Sequence, residues 1–229
     1  MPNWASNRVV VTGAEEALTE FVRRHFRNDE EEGRPVFDFE TVVPMPTVVR
    51  ATDGLKDGDL GLIALDIALL GRTTFGGRQT LEDVLGERWA REAGITSRAG
   101  LLAYLEGHRP DVLEAAERLV ACHRETGCDD WYEWSRSNWG SKWNAEATEL
   151  IDLDVGSLTF FFLSASSMPE PVFRALGPLH PKLTFEIAAT DPDNDWAITG
   201  RVAGDVAEFE EADVREAYAL IYGEMPEAA

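Results

Sequence analysis

Residues 131–145, read WYEWSRSNWGSKWNA, carry four of the seven tryptophans and set Lys142 between Trp139 and Trp143. Indole rings on both sides of an amine strip water from it, which lowers its pKa as a nucleophilic lysine requires. The same rings can hold the ammonium in a cation–π contact. In the third and simplest reading the rings pack at the end of a sheet, and Lys142 runs along them to water or a carboxylate. We prefer this packing reading. Trp4 lies near Asn3 and Asn7 at the start of the chain and is expected to join the cluster, with the asparagine amides satisfying backbone groups there. The candidate binding residues are therefore Trp139, Lys142, Trp143, Trp4 and Asn7.

Other reactive side chains form no known arrangement. His25, His108, His123 and His180 are scattered and belong to no zinc-protease, nucleophile-elbow, dinucleotide or deaminase pattern. Cys122 and Cys128 are separated by five residues with no second pair, whereas a structural zinc site needs four ligands. Two reduced thiols near a helix end are expected. Residues 191–195, DPDND, lack the glycine and terminal glutamate of a calcium loop and read as a turn. Residues 71–78, GRTTFGGR, lack the lysine–serine/threonine ending of a phosphate loop and read as a flexible turn. No catalytic residue, metal or cofactor is expected.

These side chains must be positioned by a chain of 229 residues, 44% hydrophobic, with net charge −21. That is enough for one large domain or two small ones. No apolar run spans a bilayer, and no basic-then-apolar leader opens the sequence, so a cytoplasmic location is expected. Lysine is scarce: three, against eighteen arginines. A third of the net charge falls in residues 205–229, which hold eight acidic residues and one basic. Direct binding to a nucleic-acid backbone is disfavoured, because phosphates need a basic stripe. The acidity reads first as a solvated surface from an acid-biased proteome, and otherwise as phosphate mimicry or a solubilising tail.

Periodicity places the elements. Residues 8–12 form a strand, 14–26 an amphipathic helix with Leu18, Phe21, Val22 and Phe26 on one face, and 36–43 a second strand stopped by Pro44. Residues 47–130 hold four helices, at 60–70, 81–93, 98–105 and 111–124, with Thr80 and Ser97 as caps. Residues 157–165 are apolar on both faces and suit a central strand beside the first. A helix follows, capped near Ser166 and running past Pro171. Then come an alternating strand at 183–187 and a return strand at 196–202, and a helix is expected at 210–222. Two β–α–β halves, residues 1–46 and 131–204, give an α+β fold with a ferredoxin-like split sheet. A helical insertion (47–130) and an acidic tail (205–229) complete it.

Three segments occur in a telling order: MPNW with Asn7, NWGSKWNA at 138–145, and SASSMPEP at 164–171. Together they resemble the YubB ferredoxin-like family of conjugative plasmids and phages. Its members typically open with proline–asparagine–tryptophan–cysteine and carry an asparagine–tryptophan–glycine–threonine–lysine–tryptophan block. Here Ala5 stands at the cysteine position and Ser141 at the threonine. Ala165-Ser166 replaces part of a threonine–alanine–tryptophan–serine word. The resemblance implies a ferredoxin-like fold in a mobile-element setting, with no agreed reaction.

The expected function is a non-catalytic mobile-element protein that binds a host protein. One specific version is an acidic mimic of DNA that inhibits a DNA-binding defence protein. The alternatives are an enzyme centred on Lys142 and a self-association or peptide-binding module using a sheet edge.

Overall fold

The computed structural model of the protein describes residues 3–28, 33, 35–68, 79–191, 193 and 196–223. The segment at 71–78, expected as a turn, lies outside them, as does most of the turn at 191–195. In chain order the elements are β1 (Trp4–Thr12), α1 (Glu15–His25), β2 (Phe26–Asn28), β3 (Pro35–Phe37) and a 3-10 turn (Phe39–Thr41). Next come α2 (Thr47–Arg50), α3 (Gly58–Ala64), α4 (Leu81–Gly86), α5 (Arg88–Glu92), α6 (Arg98–His108), α7 (Pro110–Thr126) and α8 (Trp131–Asn138). The chain ends with β4 (Glu146–Asp154), β5 (Ser157–Ala165), α9 (Glu170–Leu179), β6 (Thr184–Asp191), β7 (Trp196–Ala203), β8 (Val206–Glu211) and α10 (Val214–Tyr222). No helix among the described residues is long and apolar enough to cross a membrane. The chain divides into two compact units, residues 1–44 with 135–229, and residues 45–134.

The first unit is α+β. Its six-stranded sheet has the order β4-β5-β1-β6-β7-β8, and every neighbouring pair is antiparallel. β1 lies between β5 and β6, as the apolar run Val9–Val11 requires. Strand alternation gives the sheet two unlike faces. On the inner face Val9 and Val11 of β1, Phe160 and Phe162 of β5, and Phe185 and Ile187 of β6 are buried. α1 brings Phe21 to within 6.1 Å of Phe160 and 5.5 Å of Phe185, while Phe173 of α9 sits 6.1 Å from Phe162. The opposite face carries Arg8, Val10, Glu186 and Arg201. α10 lies on it, with Tyr222 bonded through its hydroxyl to Ser6 Oγ (2.6 Å) and its ring near Phe161. Asp213 caps α10 by accepting from the amides of Arg215 and Glu216.

Several sequence expectations need correcting here. The strand expected at 36–43 is short and does not join the main sheet. β3 pairs only with β2, in a separate two-stranded sheet. Asp38 ends it, because its carboxylate accepts the Glu40 amide and starts the 3-10 turn. The first half is thus one main-sheet strand and one helix. The second main-sheet strand is β4, which the sequence reading missed. The helix expected from residue 210 begins at Val214, and Glu210 and Glu211 belong to edge strand β8.

The second unit is helical. One cluster packs Ala64, Val84, Ala90, Ile95, Leu101, Leu105 and Val112; another packs Leu62, Ala116 and Leu119. α3 and α7 cross closely at Gly61, where a Cβ would lie 2.4 Å from the Val112 carbonyl oxygen. Thr80 and Ser97 cap α4 and α6, as expected from the sequence. The helix expected at 60–70 stops at Ala64, and Asp66 adopts a left-handed φ of 59°. The one expected at 81–93 breaks at Glu87, which is extended and begins α5.

Candidate functional site

The three segments singled out in the sequence meet at one end of the main sheet. β1 begins there, β5 ends there, and the residues after α8 close over both. Ser141 is buried; its Oγ accepts the Ala165 amide (3.1 Å) and donates to the Ala165 carbonyl (3.5 Å). Ser167 Oγ donates to the Gly140 carbonyl (2.5 Å), and the Ser166 amide donates to the Asn3 carbonyl (2.8 Å). Asn7, fully buried on β1, donates from Nδ2 to Ser164 Oγ (2.8 Å), and Ser164 Oγ donates onward to the Ser167 carbonyl (2.7 Å). One amide thus ties the central strand to the loop that ends its neighbour.

The candidate residues separate into three places. Trp4 and Trp143 form a tilted pair with ring centroids 5.8 Å apart, and Lys142 Nζ sits 4.3 Å from the Trp143 ring centroid. Trp139 is buried elsewhere: its indole N–H donates to the Val43 carbonyl (2.8 Å) and its ring lies 6.0 Å from Phe39. Asn7 does not join Trp4. An odd separation along a strand sends the two side chains to opposite faces, so the expectation of one cluster is corrected by strand parity. The arrangement around Lys142 can do cation–π stacking.

Gly140 is the tightest point of this junction. It has φ +76°, and a Cβ would lie 2.8 Å from Pro171 Cδ and 3.3 Å from the Met168 carbonyl oxygen. Gly204 also has positive φ (+55°), with nothing within 4 Å of a Cβ. Gly140→Ala therefore pays for both strain and overlap, and is expected to destabilise by about 2–4 kcal/mol; Gly204→Ala meets strain alone, about 1 kcal/mol. Equal shifts of the denaturation midpoint for the two variants would show that the junction is loose.

Sequence reading missed a second cluster, because its members are 155 residues apart. His25 at the end of α1 and His180 just after α9 meet through their Nε2 atoms, 2.7 Å apart, and His25 Nδ1 lies 2.7 Å from Thr41 Oγ1. The Thr41 hydroxyl donates to the Asp38 carbonyl (2.6 Å). Its oxygen must then accept from His25 Nδ1–H, which leaves a lone pair on His25 Nε2 and makes His180 Nε2–H the donor. Burial first, then the neighbouring His180 and Arg24 charges, push the His25 pKa down to about 3, with Glu20 acting in the opposite direction. His180 is lowered as well, chiefly by burial. No signal at sequence level links the two rings. No group of three or more metal-ligating side chains occurs among the described residues.

The sheet face that α10 partly covers is the remaining feature. Register places Glu149, Asp152 and Asp154 of β4, Glu186 of β6, and Glu208 and Glu210 of β8 on it, all exposed. Arg8 and Arg201 are the basic side chains these strands contribute to that face. A groove of about 460 Å³ runs between them and α10, lined by Arg8, Glu186, Arg201, Glu208, Glu210 and Leu220 among others. None of the six carboxylates is ion-paired among the described residues.

Fold and site together define an α+β protein with an antiparallel sheet, one face packed with aromatic rings and the other bearing carboxylates. No family model matches the chain, and no curated protein matches it. Among solved structures it is similar to protein Api92 of Yersinia pseudotuberculosis, which carries the family label DUF1281. The identity is 11%, over 93% of this chain and 98% of that one, with a TM-score of 0.46. A likeness of that degree fixes neither fold nor function.

Proposed function

We propose that the chain is a non-catalytic binding protein of mobile-element type, built on a ferredoxin-like sheet, that engages a basic surface of a host protein. The order β4-β5-β1-β6, with α1 between β1 and β4 and α9 between β5 and β6, supports the ferredoxin-like reading. In that reading β7, β8 and α10 are additions at one side. The meeting of the three signature segments at one sheet end is what a YubB-like kinship would require.

One observation carries the binding role: six exposed carboxylates from three strands share a face to which the described strands contribute two basic side chains, Arg8 and Arg201. Left unpaired, they repel one another and favour any partner that brings positive charge. A DNA-binding protein offers such a surface, because it must neutralise phosphates. The carboxylates would then occupy its groove in place of DNA.

Capture from host lysate on the immobilised protein tests this. A bound basic protein should be displaced by duplex DNA and lost as salt rises from about 0.05 M to about 0.5 M, where the screening length shortens several-fold. Replacing Glu149, Asp152 and Asp154 with lysine should reduce retention at least roughly tenfold. Capture indifferent to both salt and DNA would sink the proposal.

A further inference from the structure

We infer that β8 is a docking edge for an extended, arginine- or lysine-rich segment of the partner, which adds to the main sheet as a seventh strand. This rests on the binding role just proposed and names the occupant of that surface.

The two edges of the sheet are unlike. β4 is irregular, with register shifts between Glu146 and Glu149 and between Leu150 and Asp152. Bulges of that kind spoil an edge as a template for another strand. β8 pairs with β7 from Val206 to Glu211 in unbroken register. Its outward groups can be assigned. The Ala212 amide bonds to the Ala197 carbonyl of β7, so even-numbered residues turn their backbone groups inward. Odd-numbered residues therefore turn theirs outward. Consistent with this, the Ala207 carbonyl is taken from outside the sheet by Arg174 Nη1 (3.0 Å). Phe209 and Glu211 follow it in the outward row, and no described hydrogen bond meets their N–H or C=O groups. Phe209 lies over Gly200 with Arg174 stacked 4.9 Å above its ring.

Charge selects the occupant. A second copy of the chain would bring its own Glu208, Glu210 and Glu211 against these, and like charges set across a strand pair are destabilising. A segment with basic side chains at alternate positions reverses the sign of the contacts at Glu208 and Glu210, which share one face. Its main-chain groups would meet the outward row at Phe209 and Glu211, and its side chains would lie beside Glu208 and Glu210 at the near rim of the groove.

The test uses the full chain and a labelled peptide of alternating arginine and valine, six residues long to match β8. Its control is the fully backbone-N-methylated peptide, with the same charge and no backbone donor. The unmodified peptide should bind roughly tenfold more tightly than its control at about 0.15 M salt. On binding, the Phe209 and Glu211 amides should slow in hydrogen exchange at least about tenfold while exposed amides elsewhere keep their rates. Glu208→Gln with Glu210→Gln should weaken both peptides. Equal binding of the two peptides without amide protection overturns strand addition and leaves the charged-surface reading standing. Failure of both peptides to bind overturns the two together.

Discussion

Phe160→Ala should cost about 3–5 kcal/mol of stability, the range for deleting a fully buried aromatic side chain, while Phe161→Ala should cost about 1 kcal/mol. The residues are adjacent and identical, and only strand parity separates them. Phe160 is 0% exposed and stands at the centre of the inner face. Its ring lies 5.1 Å from Phe26 and from Phe37, 6.1 Å from Phe21, and is stacked 6.0 Å from Phe162. Those neighbours belong to α1, β2, β3 and β5, so truncation opens a void where four elements meet. Rings that pack on one another from different elements cannot all relax inward, which keeps the cavity penalty high. Phe161 is half-buried on the open face, with Tyr222 at 6.2 Å as its aromatic neighbour. Chemical denaturation of the two variants side by side measures the difference. Equal losses would mean that the open face is as densely packed as the inner one, and the carboxylate surface would no longer be open.

This parity also explains what the sequence made legible. β1 and β5 read as central because Val9–Val11 and Phe160–Phe162 are apolar at every position, which suits a strand with a neighbour on each side. α1 and α9 read as helices because Leu18, Phe21, Val172, Phe173 and Leu176 recur at helical spacing against polar partners. The edges were not legible. β4 reads EATELIDLD, with exposed Leu150 and Ile151, and its bulges shift the alternation that would have marked it. β8 reads VAEFEE, where glutamates favour helix by propensity and the pairing with β7 overrides them. The tryptophan block was legible as a packing centre, since Trp139 is buried and Ser141 tied to Ala165. That Trp4 and Asn7 face opposite ways follows from their spacing and could have been read from it. The histidine pair could not: nothing local in α1 announces that position 25 will find position 180.

That pair carries the second large expectation, a loss of stability in acid that is traceable to one ring. His25 is 0% exposed, and its two nitrogens are committed, one donating to Thr41 and one accepting from His180. Adding a proton to its Nε2 sets N–H against N–H across 2.7 Å, beside the cationic Arg24 and only partly relieved by Glu20. His180 is half-exposed and can take a proton on Nδ1 while still donating from Nε2. Acidification therefore charges His180 before His25. In the unfolded chain His25 titrates near the ordinary imidazole value of 6.5, and in the folded protein burial holds it down to about 3. The unfolded state binds the proton more readily, so the contribution is fully present above pH 6.5 and drains away as pH falls toward 3. At about 1.4 kcal/mol per pH unit the loss is about 2 kcal/mol between pH 6 and pH 4.5. His25→Gln keeps hydrogen-bonding capacity and removes the titration. It should be less stable than the native chain at pH 7, and the gap should narrow steadily as the pH is lowered through that window. Denaturation midpoints at several pH values give the comparison directly. If the two profiles run parallel, the ring is hydrated in the folded protein and the sealed contact between α1, α9 and the Phe39–Thr41 turn does not exist as described.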